Sequence, residues 1–151
     1  MLVSPADARI RLGARNTVLQ FADGSAVTLP LGVGDLARDV LRHDPPTSAE
    51  LERGIDVVED ALSASRLPKA ARGKLGTSDP VVRALPGLGT PGAILRLEGV
   101  EALFQRLASR ALGTPVGTDE LPAGREIAAA LLVLRECMHH LGFAEVAAQG
   151  D

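Results

Sequence analysis

The chain has 151 residues, 46% of them hydrophobic and only 2% aromatic, and it carries a formal net charge of −3. That length is enough to bury a core, and one domain spanning 1–151 is the expectation, its interior built from Leu, Val, Ile and Ala. Three Phe with no Trp or Tyr cannot supply the stacking platforms of single-stranded nucleic-acid binders, and the negative balance argues further against nucleic acid, leaving room only for a local basic patch.

Ser4-Pro5-Ala6-Asp7 reads as the cap of a single helical turn, and Arg9 to Leu12 alternates charged and apolar side chains as a short strand does. The opening MLVSPADARIRLG lacks the basic start and the roughly 7 to 15 residue apolar core of a signal peptide, so a cytoplasmic location is expected. Thr17 to Phe21 and Ala26 to Leu31 flank Ala22-Asp23-Gly24-Ser25, and Asp-Gly between two β-prone runs is a strong hairpin signal. With Asp23 and Gly24 as the two central residues, Gln20 faces Val27 and Val18 faces Leu29, while Phe21 faces Ala26 and Leu19 faces Thr28. Pro30 lacks a ladder donor and belongs at an edge or a strand end.

Val33, Leu36, Ala37, Val40 and Leu41 give an amphipathic helix around Asp35 to Arg42, ended by His43-Asp44-Pro45-Pro46. Thr47-Ser48-Ala49-Glu50 then matches a capping box, followed by the stripe Leu51, Ile55, Val58 and Leu62. From Arg66 to Gly92 the repeated Gly and Pro suggest an irregular loop, with only Val81 to Leu85 as a short strand; such a loop is either functional or a mobile connection. Helical spacing resumes over Leu95 to Leu112 and ends at Gly113-Thr114-Pro115.

The longest apolar pattern is Gly124 to Phe143, where Ile127, Leu131, Leu134, Met138 and Leu141 form one helical stripe. Leu132 and Val133 fall off that stripe, so the helix is apolar nearly all round and must be covered on more than one side. The run is shorter than the roughly 20 residues that cross a bilayer, and Arg125, Glu126, Arg135 and Glu136 bracket it. The tail 144–151 is expected to fray.

Chemistry is weakly signalled. Glu136 and His140, four apart on one helix, share a face, but two ligands do not make a metal site, and a third would have to come from His43 or the acidic helix bearing Glu52, Asp56, Glu59 and Asp60. Cys137 is the only cysteine, which rules out an intramolecular disulfide; it lies on the flank of the buried stripe, poorly angled toward His139, and reads as a small apolar residue. Gly32-Val33-Gly34-Asp35-Leu36-Ala37 has the spacing of a dinucleotide-binding turn without the parallel strand that should follow its helix. Arg66, Lys69, Arg72 and Lys74 form a basic run that departs from a Walker A loop at Pro68 and Leu75, leaving a looser anion site. No cofactor or metal is implied.

The sequence therefore predicts an α+β fold, with a small antiparallel meander near the N-terminus packed against about four helices and the C-terminal helix central. Its functional expectation is a protein-interaction module, self-associating as a homo-oligomer through Leu132 and Val133. The alternative is a small enzyme or anion-binding protein that uses the 66–92 loop, with His43 or His140 as acid or base.

Overall fold

A computed structural model of the chain describes residues 6–113 and 121–150. It is α+β, with a six-stranded mixed sheet and five helices. The strands are β1 (Ala8–Leu12), β2 (Thr17–Phe21), β3 (Ala26–Leu29), β4 (Gly73–Thr77), β5 (Ile94–Arg96) and β6 (Phe143–Ala148), and the sheet order is β3-β2-β1-β4-β6-β5. The helices are α1 (Val33–Asp39), α2 (Ser48–Ser65), the single turn α3 (Pro80–Arg83), α4 (Leu97–Ala111) and α5 (Arg125–Leu141). The capped turn expected at Ser4–Asp7 begins outside the described residues, as does the Thr114-Pro115 stop of α4.

The meander forms as expected, with one correction. Thr17 pairs with Leu29, Leu19 with Val27 and Gln20 with Ala26, one residue out of the expected register. The Phe21 N–H donates to the Ser25 carbonyl (2.8 Å), so the turn holds three residues, with Gly24 at φ +92° in the left-handed region. A side-chain period of two makes a one-residue shift decisive. Here it places Leu19 and Leu29 in the core and leaves Gln20 and Thr28 in solvent.

Three strands, β4, β5 and β6, lie where none was expected. The presumed 66–92 loop contains β4, which sits mid-sheet between β1 and β6 and parallel to both. GKLGT has little strand propensity of its own; pairing on both sides and the burial of Leu75 outweigh it. Val81 to Leu85, expected as a strand, instead begins in α3. The tail does not fray: FAEVAA forms β6, with Phe143 and Val146 buried.

Both crossovers, from β1 to β4 and from β4 to β6, step across the sheet in the same direction. Crossovers of one hand then place their helices on the same side. Ile10, Leu19, Leu75 and Val146 face that side and join the core, whereas Arg9, Arg11, Gln20, Ile94 and Arg96 on the other side are exposed.

α2 starts with the predicted capping box: the Glu50 N–H donates to Thr47 Oγ1 (3.1 Å) and the Thr47 N–H to Glu50 Oε1 (3.0 Å). α5 touches the other four helices, which explains a sequence apolar all round. Leu132 and Val133 are each 0% exposed, and a Cβ on Gly54 of α2 would stand 2.8 Å from Leu132 Cδ1. The surplus apolar surface expected to reach a second subunit is thus consumed inside the chain. Among the described residues no helix is long and apolar enough to cross a membrane.

Candidate functional site

In open sheets with parallel strands, ligands gather outside the carboxyl ends of the strands, where the chain order reverses. Here that point lies between β1 and β4. The chain leaves β1 toward β2 and β3 on one side, and leaves β4 toward β6 and β5 on the other. The loops at this edge are Gly13–Asn16 after β1 and Ser78-Asp79 after β4. Asp79 ties them together, because its Oδ2 accepts the Leu12 N–H at 2.6 Å while its own N–H donates to Thr77 Oγ1 at 3.1 Å.

The start of α1 closes the same edge from the helical side. The Val33 N–H donates to the Gly13 carbonyl (3.0 Å) and the Asp35 N–H to the Ala14 carbonyl (2.9 Å). A Cβ on Gly32 would run into the Ala14 backbone, so the glycines that resembled a dinucleotide turn serve backbone packing against the β1–β2 turn.

From this edge a shallow hollow of about 280 Å³ runs down the open face, lined by Arg9, Arg11, Val18, Gln20 and Ser78. Among the described residues neither Arg9 nor Arg11 has an ion-pair or hydrogen-bond partner for its side chain. Paired guanidiniums with a hydroxyl and an amide beside them suit a phosphate or carboxylate anion.

The basic run expected to bind anions does not converge. Arg72 is committed to the end of α5, its Nε donating to the Leu141 carbonyl at 2.8 Å and its guanidinium lying 5.3 Å from the Phe21 ring centroid. Arg66 supplies the left-handed C-cap of α2, with φ 60°, and Lys69 is exposed in the following loop. Only Lys74 reaches the open face, half-buried opposite Glu145. In the sequence, the alternation of Arg9 and Arg11 with Ile10 and Leu12 signals a strand and carries no mark of a binding site.

The histidines are engaged elsewhere. His43 Nδ1 lies 2.8 Å from Glu50 Oε2. Burial raises the Glu50 carboxyl, but the Thr47 N–H, the His43 ring and the His43 and Arg42 N–H groups outweigh it and hold the group at about 2. His140 Nε2 lies 3.1 Å from Glu59 Oε2 and 3.4 Å from Glu136 Oε1, so the acidic helix does bring a third group to the pair on α5. Glu136 is 2% exposed, and burial pushes its carboxyl up despite Arg135 Nη1 at 2.9 Å; the hydrogen bond from His140 pulls Glu59 down. Cys137 is fully buried, which pushes its thiol up to about 12, so it is unreactive packing as the sequence suggested.

The α+β architecture is shared with several solved structures. A Ppx/GppA phosphatase from Aquifex aeolicus superimposes with a TM-score of 0.71 at 17% identity, over 97% of this chain and 55% of that one. An exopolyphosphatase-like protein gives 0.71 at 16% identity, over 96% and 56%, and an exopolyphosphatase from Cytophaga hutchinsonii gives 0.60 at 10% identity, over 93% and 52%. The chain thus spans about half the length of the solved structures it matches. No family model matches the sequence, and no curated protein matches it. These likenesses are to enzymes and overturn the expectation of an interaction module, and the burial of Leu132 and Val133 removes those two residues as its interface.

Proposed function

We propose that this chain forms the phosphate-binding lobe of a phosphatase-type enzyme whose substrate is a phosphorylated polyanion such as polyphosphate. The observation that carries the reading is the pair Arg9 and Arg11, without partners among the described residues, on the open face beside the β1–β4 switch point, in a fold shared with exopolyphosphatases. Arginine forks hold consecutive phosphates and stabilise the charge that spreads over phosphate oxygens during transfer. Ser78 extends the hollow to the loop after β4, where Asp79, held through Leu12, supplies a carboxylate of fixed orientation to position an attacking water. A cytoplasmic place of action belongs to the same proposal.

The test is a titration of the chain with linear polyphosphate, read by calorimetry, beside release of inorganic phosphate. Wild type should bind with an affinity that falls as salt rises. Arg9→Ala with Arg11→Ala should weaken binding at least tenfold, and Asp79→Asn should slow release more than it weakens binding. An Arg9/Arg11 variant that binds as wild type does would remove the proposal.

A further inference from the structure

We propose that Glu59, Glu136 and His140 form a site for a divalent transition-metal ion of the Zn²⁺ class, bridging α2 and α5. Glu136 and His140 stand on consecutive turns of α5, Glu59 faces them from α2, and one ligand atom from each lies within 4.8 Å of the other two. Zinc with nitrogen and oxygen ligands at about 2.0–2.2 Å in a tetrahedron sets those ligands roughly 3.3–3.6 Å apart. The His140 Nε2 distances of 3.1 Å to Glu59 Oε2 and 3.4 Å to Glu136 Oε1 are close to that spacing already.

A second observation comes from burial. The Glu136 side chain is 3% exposed, and a buried carboxylate with a second carboxylate close by is costly to keep ionised unless positive charge is brought to it. Arg135 supplies part of that charge through Glu136 Oε2, which fixes the carboxylate and leaves Oε1 turned toward His140. A dication held among the three side chains brings positive charge to both carboxylates at once. Glu59 and His140 are 41% and 36% exposed, giving the ion a path of entry and room for a water as fourth ligand. One imidazole and two carboxylates on packed helices favour zinc over magnesium, which prefers all-oxygen octahedral surroundings. The ion would pin α2 to α5, a role separate from the open face of the sheet.

The experiment uses the full chain, stripped with chelator and titrated with ZnSO₄, followed by calorimetry and thermal unfolding. One Zn²⁺ should bind per chain and raise the Tm, and Glu59→Gln and His140→Gln should each weaken binding at least tenfold and abolish the Tm rise. His139→Gln and His43→Gln should titrate as wild type does. Glu59 and His140 are partly exposed, so their variants keep the fold, which circular dichroism of the metal-free proteins checks. Absence of Zn²⁺ binding by wild type, undiminished binding by His140→Gln, or equal loss in His139→Gln would each overturn the site.

Discussion

The two faces of the sheet differ in what they ask of each residue. On the covered face Leu19, Leu29, Leu75 and Val146 are each 0% exposed and fixed by volume and shape. On the open face Arg9, Arg11, Gln20 and Arg96 touch solvent and are free to vary without loss of packing. A residue that packing does not require is therefore the better guide to function, and two arginines without partners among the described residues, beside a strand switch point, are such residues.

The largest effect that sharpens this contrast is on the covered face. Leu75→Ala should cost about 2–5 kcal/mol in a denaturant titration, because it empties a fully enclosed site on a central strand. A loss below about 1 kcal/mol would mean that β4 is not central to stability. Removal of the cap on α2 comes next. Thr47→Ala should cost about 1 kcal/mol by thermal unfolding, since it withdraws the acceptor for the Glu50 N–H.

Glu50 makes that region sensitive to acid. Its carboxyl sits at about 2 in the folded chain against the usual 4.5, so its contribution is complete above pH 4.5 and fades as pH falls toward 2. Unfolding followed across that window should be less steep in Glu50→Gln than in wild type, and identical slopes would count against the hydrogen bonds at Thr47 and His43. The smallest effect belongs to the open face. Arg11→Ala should change stability by no more than about 0.5 kcal/mol, so that any lost polyphosphate binding reports on the site and not on the fold.

How far the sequence could be read follows the same division. α2 was legible because its signal is local: Thr47 and Glu50 are three residues apart and close on each other. α5 was legible as a helix through its stripe, but not what covered it, because Gly54 against Leu132 is a contact between distant segments. β4 was hidden because Gly73 and Gly76 look like loop residues. Gly76 in fact makes room for the Gln149 side chain, which a Cβ would meet at 2.5 Å, and that demand appears only once β6 lies alongside. Arg72 looked like a ligand-binding cation, yet it caps the end of α5 through Leu141. The cluster at His140 was half visible, with Glu136 given by helical spacing and Glu59 chosen from four acidic candidates only by the packing of α2 on α5.

The burial of Cys137 has a practical consequence. Its thiol is the only one in the sequence, and burial both encloses it and pushes it up to about 12. A cysteine introduced at Gln20 or Ile94 would thus be the single labelling handle on the molecule. A dye placed there without altering the native thiol would report on ligand arrival at the open face against a silent background.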